Sequence, residues 1–535
     1  MGNRTRSTEV ELKLLLPDEN AIPTILKFLR QRGYKLEDMG PVKNVDTYLD
    51  TFDWTLMKNH LALRHRQAND KAMYTLKSVG GMEDGVATRA ETEIVLDQPV
   101  SDLTIIPIKS LKNQVKELIY PRKLIEHVQV RTDRHLYHAV SPRGAKIELA
   151  FDATGFSARG LHEQRTARRL MEMEAELLSG PVKEITGLRD LLKEKFEYAP
   201  SAESKLEVAI KRLKIVIPSK KVPESLKVRL DDRLDLAVRK ILSFQFQWFT
   251  EQIPGVLRDI DTEFVHQGRV ATRRMRSALK LFHEALPEIT TVYLEEELKW
   301  LGGMFGAVRD LDVFLLNLPK FRTEIKPFPK KQKKGFDDWI EKHRRKPLKA
   351  LCDALESVRA RRIEQRMKQF LERPLPKRPR GSFAAMTVAC AAPKIIHEKL
   401  AAVVKQGHAV IQNPKLKEFH GLRIQMKRLR YACEFVAPAY DGGLDAFIDR
   451  TVDIQDCLGE LQDTVFTRKF VRWLHNDSKT KLVDPDMLFT LGQIHELQAQ
   501  IARNKQDAFA AIWEEFSSDE TRTTLEQVFR PSSEQ

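Results

Sequence analysis

Glu9, Glu11 and Lys13 stand at alternate positions near the N-terminus, and in an extended strand alternate side chains point to one face. Two carboxylates and an ammonium then share a surface whose reverse carries Val10, Leu12 and Leu14. A carboxylate pair suits a hard divalent cation and a lysine suits a phosphate oxygen, so this face has the chemistry to hold a metal-bound polyphosphate. A surface strand with one wetted face shows the same pattern. Later segments must decide between the two.

Those segments repeat the pattern. After a helical stretch over residues 21–33 that stops at Gly33, short alternating runs begin at Leu61, Ala72, Arg89, Arg134, Lys146 and Leu170, with a helix over 105–119 among them. Arg64 and Arg66 share a face, as do Arg89, Glu91 and Glu93, then Lys146, Glu148 and Asp152, then Glu172, Glu174 and Glu176. An open sheet would merely have these faces solvated. Six or seven such strands, carrying acids and bases together, predict a barrel with a polar interior and an apolar exterior covered by helices.

The motifs Glu9-x-Glu11-x-Lys13, Leu63-Arg64-x-Arg66, Thr75-Leu-Lys77, Arg89-x-Glu91-x-Glu93, Glu148-x-x-x-Asp152-x-x-Gly155, Glu172-x-Glu174 and Ser204-Lys205 follow one another in this order. Together they resemble the CYTH superfamily, the triphosphate tunnel metalloenzymes. The resemblance spans residues 1–207 and implies an eight-stranded antiparallel tunnel that binds a linear triphosphate with Mg²⁺ or Mn²⁺. It further implies that Lys13, Arg64, Arg66, Lys77 and Lys205 grip phosphate oxygens and that Glu9, Glu11, Asp152, Glu172 and Glu174 hold the metal, with Lys13, Glu9 and Glu11 at the catalytic centre. For the sixth strand the family pattern places an aromatic three residues after a phosphate-binding arginine, which selects Arg134 with Tyr137 over Arg131.

Charge is distributed unevenly along the chain. Residues 1–200 carry 31 Lys and Arg against 29 Asp and Glu, leaving 59 against 46 for the remainder and a total of +15. A basic surplus of this kind favours an anionic partner. Residues 208–227, with Pro218 and Pro223, are expected to link two domains. Beyond them the apolar period is helical and the sequence repeats: His266-Gln-Gly-Arg269-Val-Ala-Thr-Arg273-Arg274-Met-Arg276 matches His420-Gly-Leu-Arg423-Ile-Gln-Met-Lys427-Arg428-Leu-Arg430. Gly306-Ala-Val-Arg309-Asp310 recurs downstream as Gly459 with Asp463. On a helix His266, Arg269, Arg273 and Arg276 form one narrow face opposite Ala271, Met275, Leu279 and Phe282, and the second copy is built alike. Like charges at helical neighbour spacing repel. Either Asp310 and Asp463 neutralise them from another helix, or an anion does.

These repeats resemble the CHAD domain, a helical module that accompanies CYTH and binds polyphosphate on basic helices. The likeness spans residues 228–520 as two repeats, about 228–365 and 382–520, with 521–535 as a tail. It implies polyphosphate binding by His266, Arg269, Arg273, Arg274, Arg276, His420, Arg423, Lys427, Arg428 and Arg430. The runs Lys330–Lys334 and His343–Lys346 are expected as solvated loops.

The fold class expected is therefore multidomain α+β: an N-terminal eight-stranded antiparallel tunnel with flanking helices, and a C-terminal all-α duplicated bundle. Cys352, Cys390, Cys433 and Cys457 are scattered and show no metal-ligand spacing. With no apolar run of membrane-spanning length and no apolar signal core after Met1, a cytoplasmic protein without a membrane partner is expected. The function expected is metal-dependent hydrolysis of inorganic triphosphate, as in CYTH–CHAD inorganic triphosphatases, with polyphosphate held by the helical domain. Thiamine or nucleoside triphosphate hydrolysis, or adenylate-cyclase-like chemistry, is an alternative in the same tunnel. A non-catalytic polyphosphate- or nucleic-acid-binding protein is another, although the basic stripes interleave almost no aromatic residue but Tyr431, which disfavours nucleic acid.

Overall fold

The computed structural model describes all residues except 1–3, 69–70, 79–81, 84–85, 97–101, 163–164, 197–202, 220, 326–331, 380–381, 477–484 and 531–535. For residues 4–9, 71, 82–83, 86–94, 96, 168, 332–337, 339, 382, 474–476 and 485–487 only the backbone is described. The chain divides into two compact units, Met1–Ser219 and Lys220–Gln535.

In the first unit, strands β1 (Arg4–Leu16), β2 (Lys35–Asp50), β3 (Leu61–Ala68), β4 (Lys71–Ser78), β5 (Met82–Glu83), β6 (Val86–Leu96), β7 (Ile125–Val140), β8 (Lys146–Ala158) and β9 (Thr166–Ser179) form one antiparallel sheet. Its order is β1-β9-β8-β7-β2-β3-β4-β6-β5, and β1 also pairs with β6. The sheet therefore closes into an eight-stranded barrel, with two-residue β5 as an appendage on β6. Closure leaves no barrel strand with an open edge.

Alternation along each strand sorts the residues as the sequence predicts. Leu12, Leu14, Ile147, Leu149, Phe151, Met173 and Ala175 face outward, where helices α1 (Ala21–Gln31) and α4 (Lys183–Lys195) cover them. Leu49, Leu63, Tyr74 and Leu76 are covered in the same way by α2 (Thr55–Lys58) and α3 (Lys109–Ile119). The inner face changes character along its length. On β7 it runs from Val128 and Val130 to Thr132 and Arg134, and on β8 from Ala158 and Phe156 to Thr154 and Asp152, paired in register. Helix α5 (Lys205–Arg212) inserts Leu206 and Ala209 into the apolar end, beside Tyr48, Val128, Val130, Phe156 and Leu170. One end of the lumen is thus packed with side chains, and the middle is charged.

Two expectations change here. Strand β2 carries no clean alternation in its first half because Gly40 and Pro41 interrupt it; Gly40 has φ +81° at a register shift, a conformation that glycine adopts without strain. Residues 208–213, expected within a linker, instead complete α5 and bury Ala209 and Leu213 against the barrel.

The second unit is helical: α6 (Leu234–Leu257), α7 (Thr262–Leu281), α8 (Glu288–Glu324), α9 (Gln332–Glu356), α10 (Val358–Glu372), α11 (Ser382–Ala385), α12 (Val388–Gln412), α13 (Leu416–Val436), α14 (Asp445–Asn476), α15 (Pro485–Phe516) and α16 (Asp519–Val528). The antiparallel neighbours α6–α7–α8–α9 recur as α12–α13–α14–α15, so the sequence repeat is a structural one. Helices α7 and α13, which carry the two basic motifs, pack against each other. Residues 521–528, expected as tail, belong to α16, whose Leu525 is fully buried. His343–Lys346, expected as a loop, lies in α9, where Arg344 is 5% exposed and pairs with Asp312 and Asp259. Among the described residues no helix is long and apolar enough to cross a membrane.

Candidate functional sites: a charged tunnel and a basic helical face

The barrel lumen gathers the predicted residues from seven elements, β1, β3, β4, β7, β8, β9 and α5. Lys13 on β1 extends between Glu174 of β9 (Nζ–Oε1 2.9 Å) and Glu11 (3.4 Å). Arg134 on β7 makes two parallel bonds of 2.7 Å to the Asp152 carboxylate on β8 and another to Glu174, whereas Arg131 lies on the outer face, bonded to Gln129. Lys205 reaches Asp152 and Glu174 (3.0 Å) from the first turn of α5. A lysine there opposes the helix dipole. The placement is fixed instead by the capping box of Ser204 and Glu207 and by the two barrel carboxylates. Glu172, 1% exposed, is in register with Asp152.

The opposite wall is basic. Arg66 grips Asp46 through two bonds of 2.7 and 2.8 Å, and Arg64 lies 3.7 Å from the same carboxylate while donating to Thr75 Oγ1. Lys77 pairs in register with Ala62 and Glu91. Asp46 was not anticipated; its signal was Asn44-x-Asp46-x-Tyr48 at strand spacing, concealed by the irregular start of β2. Glu9 is opposite Arg89 in the register of β1 and β6, and its side chain lies outside those described.

The electrostatics follow from this pairing. Although burial disfavours a charged ammonium, Glu174, Glu11 and Glu172 hold the pKa of Lys13 above its ordinary value. Lys205 and Arg134 are raised, against burial, by Glu174 and Asp152. Against its burial, Glu174 is held well below the usual carboxylate range by Lys13, Lys205 and Arg134. Asp46 is lowered to about 2 by Arg64 and Arg66 despite being buried. Lys13, Lys205, Arg134, Glu174 and Asp46 therefore stay ionised at neutral pH.

Charges also segregate. On the wall of β1, β7, β8 and β9, Glu11, Glu148, Asp152, Glu172, Glu174 and Glu176 outnumber Lys13 and Arg134 together with Lys205 from α5, whereas on β2–β4 Arg64, Arg66 and Lys77 outnumber Asp46. An acidic wall opposite a basic one suits a cation bound together with an anion. All the acidic donors are carboxylate oxygens, the type that a hard divalent ion takes, so the donor set fits such a metal. Among the described residues no three His, Cys, Asp or Glu side chains form a ready-made metal cage. Asp152 and Glu174 are held by lysine and arginine.

The helical unit is built differently. The apolar stripes are core: Ala271, Met275 and Leu279 on α7 and Leu422, Leu429 and Cys433 on α13 are fully buried. Gly268 lets Phe305 of α8 approach α7 closely, since a Cβ there would lie 2.4 Å from its ring. This brings Arg309 of α8 to the basic face, a residue that the repeat contained but that was not singled out. Arg269 pairs with Asp310 at 2.9 Å, and Asp463 acts on Arg423 and Lys427 at longer range. Glu263, Asp312 and Asp463 act on Arg309. Arg273, Arg276, Arg309 and Arg423 each retain a buried guanidinium nitrogen with no hydrogen-bond partner. Burial, then Arg273, Arg423 and Arg269, lower Lys427 to about 7. Burial likewise lowers Arg309 and Arg423 and raises Asp463.

The remaining predicted residues lie outside this cluster. Arg274 and Arg430 both bind Glu434, with Arg274 over the Tyr431 and Phe435 rings. Arg428 approaches only Gln425, His420 bonds Gln462 at 2.9 Å, and His266 lines a cavity described below.

Comparison with known proteins places these sites in a class. The CYTH domain matches residues 7–210 and the CHAD domain residues 240–472. The chain thus carries a CYTH domain followed by a CHAD domain, and its barrel is of the metal-dependent triphosphate-tunnel class. An uncharacterized protein of Mycobacterium tuberculosis is 22% identical over 486 residues, covering 89% of this chain and 90% of its own. The crystal structure of the CHAD domain from the plant Ricinus communis is 24% identical and covers 55% of this chain and 96% of its own, with a TM-score of 0.46. A putative adenylyl cyclase from Hippeastrum with a dominant triphosphatase activity is 23% identical, covering 38% of this chain and 95% of its own at a TM-score of 0.29.

Proposed function

We propose that the barrel hydrolyses inorganic triphosphate to diphosphate and phosphate, and that the α7/α13 face holds longer polyphosphate. The observation that carries the first half is the composition of the charged stretch of the lumen. Its described inner side chains are mainly lysine, arginine, carboxylate and threonine, with Leu136, Ala150 and His138 continuing the face of Arg134 and Asp152; Tyr48, in register with Arg64, and Phe156 mark the start of the apolar end filled by α5. Among the described residues such a stretch is dominated by charge rather than by flat rings that could stack on a base or a thiazole. It suits a ligand made of phosphate alone.

Phosphoryl transfer asks the protein mainly to position the chain and to neutralise developing charge. Arg64, Arg66 and Lys77 on one wall, and Lys13, Arg134 and Lys205 on the other, hold phosphate oxygens along the lumen. Triphosphate oxygens replace Glu174, Glu11 and Asp152 as partners of these cations. The freed carboxylates, with Glu172 and Glu9, are then the oxygen donors for a divalent ion. When bound, Mg²⁺ or Mn²⁺ supplies neutralisation of the phosphate charge and acidification of a water. Lys13, held charged at any physiological pH, stabilises the charge that develops at the transferred phosphoryl group.

The test is a phosphate-release panel of inorganic, thiamine and nucleoside triphosphates with Mg²⁺ and with Mn²⁺, on the full chain. Inorganic triphosphate is expected as the best substrate, and Lys13→Met should lower its turnover about 10²–10³-fold. A Lys13→Met protein as fast as wild type, or a preference for an organic triphosphate, rejects the reading. For the helical face the supporting observation is that Arg273, Arg276, Arg309 and Arg423, all half-buried, each keep one buried nitrogen without a partner, with Arg273 and Arg423 acting on Lys427, because a desolvated cation nitrogen is costly unless an anion joins it.

A further inference from the structure

The helical unit contains a cavity of about 830 Å³ bordered by α6, α7, α13 and the start of α14. Its size falls within the range of small-molecule sites. Five cations line it, and three have partners: Arg274 and Arg430 share Glu434, and Lys227 lies 3.8 Å from Asp441. Arg273 and Lys427 have no ion pair among the described residues. Both also belong to the basic face assigned above to polyphosphate.

The remainder of the lining is not what an inorganic chain needs. Helix α6 supplies Phe244 and Trp248, and α13 supplies Tyr431, so the cationic border is continuous with flat apolar rings. Three glutamine amides also line the cavity. Gln267 accepts from Trp248 Nε1 and donates to Glu263, and Gln455 donates to Met426 O and accepts from Arg430, so both amides are oriented by the protein. Gln245 differs. It is only 5% exposed, lines the cavity and has no hydrogen bond to any described group. An amide that faces a cavity and is not engaged by the protein leaves its donor and acceptor available to a ligand. An amide presents a donor and an acceptor side by side, the pattern on the edge of a nucleobase.

We propose that this cavity binds a nucleoside 5′-polyphosphate, with its phosphates at Arg273 and Lys427, its base against Phe244, Trp248 and Tyr431, and a base edge on Gln245. The polyphosphate face and the nucleotide cavity then overlap at two cations and diverge beyond them. A linear polyphosphate and a nucleotide compete for Arg273 and Lys427, but the nucleotide alone uses Gln245.

The experiment uses the full chain and 8-azidoadenosine 5′-diphosphate, which lacks the triphosphate that the tunnel is proposed to cut, with photolabelled peptides mapped by mass spectrometry. Label is expected on peptides from residues 234–257 or 416–436. ADP should protect at concentrations where inorganic diphosphate does not. Gln245→Leu, close in size and therefore compatible with the packing, should weaken ADP binding about three- to tenfold while leaving the affinity for long-chain polyphosphate unchanged. Label confined to residues 1–219, equal protection by ADP and inorganic diphosphate, or an ADP affinity indifferent to Gln245→Leu overturns the proposal. Loss of polyphosphate binding in the wild-type chain would reject the basic-face reading separately, since the two ligands are measured independently.

Discussion

The tunnel and the basic helical face are both lined with arginine and lysine, yet their charges are balanced in opposite ways. In the lumen Lys13, Arg66, Arg134 and Lys205 each meet a carboxylate on a barrel strand, and Lys13, Lys205 and Arg134 are held more firmly protonated than usual. On α7, α8 and α13 the cations crowd one another, and Arg309, Arg423 and Lys427 are more easily deprotonated than usual, first through burial. A saturated lumen can accept a triphosphate and its metal only by exchanging partners. An unsaturated face gains from any polyanion that arrives. The first arrangement favours selection and the second favours capture.

The comparison breaks most severely at Asp46, the carboxylate on which Arg64 and Arg66 converge. Asp46→Asn keeps the shape but leaves two buried guanidinium groups without a counter-charge, and it should destabilise the barrel by about 3–5 kcal/mol. Hydrogen exchange on peptides from β2–β4 measures this directly. Protection there equal to wild type would mean that the barrel cations do not depend on their pairing. On the helical face the same operation has the opposite sign. Removing Arg273 and Lys427 together, as Arg273→Gln with Lys427→Met, relieves repulsion, so the ligand-free α7/α13 region should be at least as protected as before. Polyphosphate affinity should fall about 10–100-fold.

A pH series separates the regions more gently. Burial, with the neighbouring arginines, lowers Lys427 to about 7 from its ordinary 10.5, so the unfolded chain binds more protons between these pH values. The ligand-free stability of the helical unit therefore rises as pH increases from about 7 towards 10.5, and its penalty is fully present below 7. Arg269 and Arg273 on α7 and Arg423 on α13 cause the shift together with burial, and Asp463 on α14 opposes it. Bound polyphosphate restores the charged form, so binding takes up protons above pH 7 and affinity declines towards pH 9. Calorimetry in buffers of different ionisation enthalpy reads that uptake, and Lys427→Arg should abolish it. The barrel should be flat over this range. Asp46 contributes above its ordinary carboxylate value and loses that contribution only as pH falls towards 2, while Lys13 and Lys205 contribute below 10.5.

What could be read in advance follows the same division. Strand alternation is a local signal, so Glu11, Lys13, Arg64, Arg66, Asp152, Glu172 and Glu174 were legible as inward-facing charges, and closure followed from repeating them. Asp46 was hidden because Gly40 and Pro41 break the alternation of β2. The apolar end of the lumen was hidden for another reason: Val128, Phe156 and Leu170 look like strand core until α5 is seen to lie on them. On the helices, the basic stripes were legible from one helical period. Their environment was not, because Arg309, Gln245, Phe244 and Trp248 come from helices whose neighbours are fixed only by tertiary packing. Segment ends were misjudged where a short amphipathic helix packs on a larger body, as α5 and α16 do.

Asp310 gives the finest division between the two modes of charge balance. It pairs with Arg269 of the α7 stripe at 2.9 Å, with 45% of its side chain and 36% of that of Arg269 exposed. If the face were balanced as the barrel is, Asp310→Asn would cost stability on the scale of Asp46→Asn. An ion pair this exposed contributes only about 0.2–1 kcal/mol, so unfolding should barely change. The effect should appear in binding instead. Asp310 competes with an incoming polyanion for Arg269, and its neutralisation should strengthen polyphosphate binding about two- to fivefold at low ionic strength, the gain vanishing as salt screens the site. Titration of wild type and Asp310→Asn with long-chain polyphosphate at two salt concentrations decides it. Weaker binding by the variant would make Asp310 part of the ligand-binding arrangement rather than a competitor for its arginine.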